Sequence, residues 1–156
     1  MAKKDYQAKV GNEKKIAKAI AKNQPVSTKF ATELCREMRG KTLSSVEERL
    51  ERIRDGKEFL PLRQYNKRVP HRKGDSSSGV KSGRFPRNLC SVVLKLLESV
   101  KANADFKGLD SENLLIVHCF ASHGFARGGM QSKGKISGKR RYNKSTHIEV
   151  IVTEAK

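Results

Sequence analysis

The sequence predicts an α+β fold in which a small three-stranded antiparallel sheet packs against three helices and a long basic β-hairpin protrudes. Three observations predict it. Three segments repeat apolar residues at helical spacing, and two apolar runs of strand length cover residues 114–121 and 147–153. Between those runs lies a Gly-, Ser-, Lys- and Arg-rich segment, and residues 113–148 contain no Asp or Glu. Two strands joined by such a segment predict a hairpin that leaves the domain.

Length and charge narrow the class of protein. The 156 residues predict a single domain, 1–156, which includes a basic loop at 61–83 and the extended hairpin at 120–147. The chain carries 34 Lys and Arg against 16 Asp and Glu, a net charge of +18. Such an excess repels itself unless a polyanion neutralises it, and nucleic acid is the commonest one. A membrane surface is the other candidate, but we expect no membrane partner because long apolar runs and a signal-peptide core are missing from the sequence.

The N-terminal part contributes one strand and one helix. Tyr6, Ala8 and Val10 alternate with polar residues, which predicts the first strand, while residues 13–22 favour either a partial helix or an extended segment. Ser27 can cap the first helix, and Gly40 ends it. Its apolar face consists of Phe30, Ala31, Leu34, Cys35 and Met38.

The second helix is predicted to begin at Ser44, which forms a capping box with Glu47, and to end at Gly56. Its apolar side consists of Leu43, Val46, Leu50 and Ile53. The acids Glu47, Glu48 and Glu51 lie mainly opposite and are spaced to pair with Arg49, Arg52 and Arg54. We interpret them as a solvated helix face rather than an acid–base site.

The basic loop precedes the third helix and the last two strands. Pro86 fits the first turn of this helix, which is apolar around most of its circumference and runs to about Asn103, so we expect it to be the central core helix. The strand at 114–121 is apolar on both faces, which favours the centre of the sheet. The last strand alternates and has one mixed face, which favours an edge or a partly solvated position.

Each motif that suggests catalysis or metal binding lacks a residue or a geometry that the chemistry requires. Gly129, Gly134 and Lys135 have the spacing of a phosphate-binding loop, but Ile136 stands where such a loop needs Ser or Thr, so nucleotide hydrolysis is not predicted. His118 and Cys119 are adjacent in a strand and point to opposite faces, so they cannot share a metal ion with His123. We predict no catalytic residue, no metal and no cofactor.

Basic residues interleaved with glycine are the strongest functional signal. Glycine permits close backbone approach to phosphate, and Lys and Arg release counterions when they bind it. A disordered basic tail is the alternative, but both ends of the segment run into strands, which makes it a tethered loop. Arms of about 12 residues at ~3.4 Å each would reach roughly 40 Å. Three cysteines without a CxxC pair indicate a reducing compartment, so we expect a cytoplasmic protein.

Five segments, in this order and spacing, resemble a known family. They are REMRGK at 36–41, RQYNKRVPHRKG at 63–74, GRFP at 83–86, NADFKGLD at 103–110 and THIEVIVTE at 146–154. Together they resemble the universal large-subunit ribosomal protein L twenty-two family (L seventeen in eukaryotes), in its archaeal and eukaryotic branch. The tip, at 135–140, departs from the Pro-Arg-Ala and Gly-Arg-Ala pattern usual in that family.

The resemblance implies a structural, non-enzymatic constituent of the large ribosomal subunit, with a role in translation and subunit assembly. It implies an α+β domain near the peptide exit and a hairpin that reaches the exit-tunnel wall. The implied partners are large-subunit rRNA, neighbouring large-subunit ribosomal proteins and, near the hairpin tip, the nascent polypeptide. The implied rRNA-binding residues are Arg127, Lys133, Lys135, Lys139, Arg140, Arg141 and Lys144 in the hairpin, and Arg63, Lys67, Arg68, His71, Arg72, Lys73 and Arg84 in and beside the basic loop. A free-standing basic RNA-binding or ribosome-assembly factor is the alternative.

Overall fold

A computed structural model describes residues 6–8, 10, 15–74 and 78–155. Its elements, in chain order, are β1 (Ile16–Gln24), α1 (Thr28–Met38), α2 (Leu43–Asp55), β2 (Leu60–Pro61), β3 (Gly83–Arg84), α3 (Arg87–Phe106), β4 (Leu114–His123), β5 (Gly128–Met130), β6 (Arg140–Tyr142) and β7 (Thr146–Glu154). The main sheet is antiparallel with the order β1-β7-β4. The predicted α+β class, with three helices and a three-stranded sheet, is confirmed. None of the helices in these described ranges is long and apolar enough to cross a membrane.

Helix α3 is the central core helix, as predicted. It packs against α2 and β1, and Cys90, Val93, Leu97 and Val100 along it are almost completely buried. Burial raises the pKa of the Cys90 thiol to about 11, because the thiolate would lose its hydration. The helix continues to Phe106, one turn beyond the predicted end near Asn103.

Helices α1 and α2 bury the predicted apolar faces, but the N-cap of α2 differs from the predicted one. In α1, Ser27 is the N-cap and the buried face includes Ala31, Leu34 and Met38. In α2, Thr42 is the N-cap, so the predicted capping box at Ser44 is wrong, and Glu47 binds Lys101 Nζ at 2.6 Å instead. Gly56 ends α2 with a φ of +84°, a left-handed conformation that glycine adopts without strain.

The ion pairs of α2 partly follow the predicted spacing. Arg52 lies 3.8 Å from Glu48, and Arg54 lies 3.8 Å from Glu51. The exception is Arg49, which turns inward and binds Glu37 of α1 at 2.9 Å and Glu58 at 2.8 Å. Burial acts to lower the pKa of Arg49, but the hydrogen bonds and charges of those two carboxylates outweigh it and raise the pKa above its usual value.

The first strand lies further along the chain than predicted. Within the described residues 6–8 and 10 there is no strand, while Asp5 and Lys9 lie outside the described residues. Strand β1 is instead Ile16–Gln24, so the extended alternative is confirmed for residues 16–22, and residues 13–14 lie outside the described ranges. Ala17 and Ala19 face α3 in the core, where small side chains allow a close approach.

The predicted positions of the last two strands in the sheet are wrong. Strand β7 is central and pairs with both β1 and β4, whereas β4 is at the edge. The free side of β4 is covered by the α1–α2 connection: the Gly40 N–H donates to the Ile116 carbonyl at 2.8 Å, and the Ile116 N–H donates to the Lys41 carbonyl at 3.0 Å. These bonds satisfy part of the edge that an open sheet would expose.

A segment near the N-terminus covers the sheet face opposite the helices. The Gln7 N–H donates to the Glu149 carboxylate at 3.1 and 3.2 Å, and Lys18 Nζ lies 5.6 Å from the centre of the Tyr6 ring. Glu149 also binds His118 Nε2 at 2.9 Å and is 4% exposed. This contact helps to bury Glu149 on the second face of β7, where Ile151 is also buried while His147 and Thr153 are half-buried.

Candidate nucleic-acid interface

The predicted hairpin is an antiparallel ribbon that extends beyond β4 and β7 and contains a separate two-stranded sheet, β5-β6. At its base the Gly124 N–H donates to the Ser145 carbonyl at 2.9 Å, and further out the Asn143 N–H donates to the Arg127 carbonyl at 3.0 Å. Strands β5 and β6 then pair residue by residue from Gly128 to Met130. The projection is therefore backbone-paired along its length, as a structured element and not a loose loop.

The tip of the hairpin is a closed turn. The Gln131 N–H donates to the Lys139 carbonyl at 3.0 Å, and the Gly138 N–H donates to the Gln131 carbonyl at 2.8 Å. Gly134 and Gly138 have φ values of +88° and +82°, where other residues are strained. Two of the interspersed glycines thus have a conformational role in shaping the tip.

All seven predicted cationic residues of the hairpin are exposed. They are Arg127, Lys133, Lys135, Lys139, Arg140, Arg141 and Lys144. Residues 113–148 contain no Asp or Glu, so the hairpin has no carboxylate of its own to balance them. Such a surface favours a polyanion, since each phosphate bound releases condensed counterions.

A clamp that the sequence did not predict holds the base of the hairpin. Asn23, at the end of β1, has a φ of +53°, and its Oδ1 accepts hydrogen bonds from the Phe125 N–H at 3.1 Å and the Ser145 hydroxyl at 3.2 Å. The Asn23 N–H donates to His147 Nδ1 at 3.0 Å. A Cβ on Gly124 would lie 2.4 Å from Ser145 Oγ and 2.8 Å from Asn23 Oδ1. One side chain therefore joins both arms of the hairpin to β1.

The basic loop is anchored at both ends. Strands β2 and β3 pair, the Leu62 N–H donates to the Ser82 carbonyl at 2.9 Å, and the Arg72 N–H donates to the Lys81 carbonyl at 2.8 Å. Glu33 of α1, which is 1% exposed, accepts hydrogen bonds from the backbone N–H groups of Gln64 at 2.6 Å and Tyr65 at 3.0 Å. A buried carboxylate thus fixes the start of a cationic segment.

The predicted cations of this loop separate into two groups. Arg63 lies 3.2 Å from Glu37, and Arg72 donates to the Gly83 carbonyl at 3.1 Å and lies 5.4 Å from the centre of the Phe85 ring. These two side chains therefore stabilise the conformation of the loop in addition to contributing positive charge. The others are Lys67, Arg68, His71 and Lys73, which are exposed, and Arg84, which is half-buried.

The histidines and the cysteine of β4 are held apart by different contacts. His118 binds Glu149 on the outer face, and His123 Nδ1 lies 3.3 Å from the Thr28 hydroxyl. Cys119 is buried on the inner face, where its hydrogen bond with Cys35 and its loss of hydration raise the pKa of its thiol well above the usual value. Among the described residues, no group of three His, Cys, Asp or Glu is arranged to hold a metal ion.

Comparison with known proteins agrees with this arrangement. The family model described as Ribosomal protein L22p/L17e matches residues 19–153 of the chain. A protein of Archaeoglobus fulgidus is 40% identical over 124 residues, which are 80% of this chain and 79% of that protein. A protein of Ignicoccus hospitalis is 38% identical over 92% of this chain and 91% of its own length, and one of Methanococcus vannielii is 35% identical over 99% of both. Each of these relatives is named Large ribosomal subunit protein uL22.

Proposed function

The chain belongs to the Ribosomal protein L22p/L17e family, and from that membership we propose that it is a structural, non-enzymatic constituent of the large ribosomal subunit that binds rRNA. Its role is in translation and in assembly of the subunit, and its place is the cytoplasmic ribosome. The relatives' names place them in the large subunit. The mechanism of binding follows from the charges and contacts of this chain.

The observation that carries the proposal is the exposed, carboxylate-free hairpin. A ribbon that is already paired loses little further backbone entropy when it binds, so more of the phosphate-contact energy remains as affinity. Its cations have no carboxylate in residues 113–148 with which to pair, so rRNA phosphates are their natural partners. Exposed cations of the basic loop supply a second contact beside β3.

The position of the hairpin within the subunit is inferred from the family to which the chain belongs. We infer that the hairpin reaches through rRNA to the wall of the peptide exit tunnel, with its tip near the nascent polypeptide, and that the folded domain contacts neighbouring ribosomal proteins. The exposed tip at 132–139, which is polar apart from Ile136, supports this because such a turn suits a water-filled channel. A subunit reconstruction in which residues 133–141 lie away from any open channel would contradict the tunnel assignment.

Sedimentation separates this proposal from a free-standing RNA-binding or assembly factor. A ribosomal constituent is expected to remain stoichiometric with large subunits after a high-salt wash. An assembly factor is expected to be released into the soluble pool. Release under conditions that keep other ribosomal proteins bound would favour the second function.

Deleting the hairpin tests the mechanism of binding. Replacing residues 127–144 with an Asn-Gly turn removes seven cations and lowers the net charge from +18 to +11. The variant is expected to bind large-subunit rRNA more weakly, and its plot of log affinity against log salt should flatten by roughly 0.7–0.9 for each phosphate that the variant no longer binds. An unchanged slope would exclude the hairpin as a phosphate-binding element.

A further inference from the structure

A cleft of about 360 Å³ lies in the angle between the hairpin and the start of α1. Its walls include Thr28 and Lys29 of α1 and Tyr142 and Lys144 of the hairpin. Small-molecule sites in proteins occupy about 300–1,000 Å³, so the cleft has room for one small planar group with its attached charge. It was not apparent from the sequence because its two walls are more than a hundred residues apart in the chain.

Tyr142 gives the cleft a flat, apolar wall. Its side chain is 68% exposed although it lies on a folded, paired strand. Opposite it in the ribbon is Gly128, where a Cβ would lie 3.5 Å from the Cε1 atom of the ring. The ring therefore packs along one edge against a residue without a side chain, which leaves most of its surface accessible to a ligand.

The remaining walls are fixed and positively charged. The Thr28 hydroxyl is held by Thr146 at 2.8 Å, and the Ser145 hydroxyl by Asn23 at 3.2 Å. Lys29 and Lys144 also line the cleft, and no Asp or Glu is among its lining residues, all of which lie in the described part of the chain. Lys29 Nζ lies 5.6 Å from the centre of the Tyr65 ring, which is not part of the cleft lining. A lining with one exposed aromatic ring and two lysines is complementary to a nucleobase with its phosphates.

We propose that this cleft binds one unpaired nucleotide of the RNA, with the base stacked on Tyr142 and the flanking phosphates held by Lys29 and Lys144. This inference rests on the proposed rRNA-binding function and names the ligand of one part of that interface. A base within a duplex is stacked on both sides and cannot enter, whereas an unpaired base stacks on an aromatic side chain without losing a base pair. The site thereby positions the hairpin on the RNA at one defined nucleotide.

Substitution of Tyr142 tests the stacking. Tyr142→Leu keeps apolar bulk but removes the ring, and it is expected to weaken binding to large-subunit rRNA roughly 5- to 160-fold, the range that removal of one base–aromatic stack gives. The salt slope should stay unchanged, because the same cations still bind the phosphates. Tyr142→Phe is expected to bind like the wild type. Lys144→Ala should instead lower the salt slope by roughly 0.7–0.9.

Phe125→Leu is the matched control, since Phe125 is an exposed aromatic residue of the same hairpin that does not line the cleft. It is expected to change affinity less than twofold. Equal losses of affinity for Phe125→Leu and Tyr142→Leu would overturn the proposal, because they would indicate a general apolar effect. If Tyr142→Leu binds rRNA as tightly as the wild type, the proposed nucleotide site is overturned while the proposed rRNA-binding function stands. If the wild type fails to bind large-subunit rRNA, the proposed function is refuted.

Chemical probing of the rRNA identifies the nucleotide. One unpaired base is expected to be protected by the wild-type protein and by Tyr142→Phe, and to become reactive again with Tyr142→Leu. Protection that is identical with all three proteins would overturn the site. A parallel titration with AMP alone distinguishes a nucleotide of rRNA from a free mononucleotide as the ligand. No binding of AMP is expected. Saturable binding at micromolar AMP would overturn the proposal and indicate that the cleft binds a free mononucleotide.

Discussion

At the scale of single residues, three carboxylates of this cationic chain are turned into the domain. Glu33, Glu37 and Glu149 are all buried, and each fixes a different segment. Glu33 holds the start of the basic loop, Glu37 binds Arg63 and Arg49, and Glu149 holds the segment at Gln7. A chain of net charge +18 thus uses these acids to hold its own structure together, while many of its cations face solvent.

Glu33 provides the clearest test of this role. Glu33→Ala leaves the backbone N–H groups of Gln64 and Tyr65 without their acceptor, and it is expected to lower the free energy of unfolding by about 2–3 kcal/mol. Glu33→Gln retains one acceptor oxygen and should be destabilised less. Urea denaturation measures both variants, and faster hydrogen exchange at the Gln64 and Tyr65 amides should accompany the destabilisation. Equal stability of Glu33→Ala and the wild type would show that the loop needs no such anchor.

At the scale of elements, the helices were predictable and the order of the strands was not. Helical spacing of Leu43, Val46, Leu50 and Ile53 is a local property, and all four are buried as predicted. Strand order depends on partners that are distant in sequence. Strand β4 has apolar residues on both faces, including the exposed Val117 and Phe120. It also contains a bulge: Ile116 pairs with Val152, yet His118 pairs with Ile151.

That bulge adds one residue and changes which side chains face the core. Leu114 and Ile116 are buried before it, and Cys119 and Ala121 are buried after it. The buried positions therefore change parity along one strand, and the sequence presents an almost unbroken apolar run. Nothing in that run distinguishes a bulged edge strand from a central one without the register.

The candidate site was predictable to a similar extent. The hairpin and the basic loop could be found because charge is visible in the sequence. The Asn23 clamp and the Tyr142 cleft could not, because each combines residues that only the fold brings together. The position of Asn23 after a largely apolar segment is visible in the sequence. Its hydrogen bonds to Phe125 and Ser145 are not, because they join residues that are far apart in the chain.

The clamp determines how the hairpin leaves the sheet, and Gly124→Ala tests it. The new Cβ would lie 2.4 Å from Ser145 Oγ and 2.8 Å from Asn23 Oδ1, so these two side chains, which form the clamp, must shift. Overpacking of this kind costs about 1–3 kcal/mol. We expect a corresponding decrease in rRNA affinity at an unchanged salt slope, with faster hydrogen exchange at the Phe125 amide. Gly129→Ala is the matched control, since a Cβ there meets nothing within 4 Å; equal effects of the two variants would exclude the clamp.

At the scale of the whole molecule, charge is separated along the sheet. At one end, Leu114 pairs with Glu154, and Asp110 and Glu112 lie in the loop just before β4. At the other end, His123 pairs with Thr146, and the cationic hairpin begins. Lys15 and Lys107 accompany the carboxylates at the first end, where they contact Thr153 and Ile16. The hairpin has no carboxylate of its own, so the unbalanced positive charge lies at its end of the sheet, and such a charge steers a basic protein toward a polyanion.

The hairpin and the folded domain also differ in burial, and we expect them to differ in local stability. No residue in the described range 125–144 is buried, so its ribbon is held by hydrogen bonds without a packed core, whereas Val150 and Val152 of β7 are completely buried. A local opening of the hairpin exposes little apolar surface and costs little free energy. Strand β7, in contrast, opens only when the whole domain unfolds.

Hydrogen exchange read by mass spectrometry at low salt tests this difference on both segments in one experiment. Without RNA, the Gln131 and Asn143 amides are expected to exchange much faster than those of β7, although each is hydrogen-bonded. Adding large-subunit rRNA should slow exchange in the hairpin, because bound phosphates hold the two arms together. Exchange in β7 should remain almost unchanged, since it proceeds through global unfolding. Hairpin amides as protected as those of β7 in the free protein would contradict a ribbon that RNA stabilises.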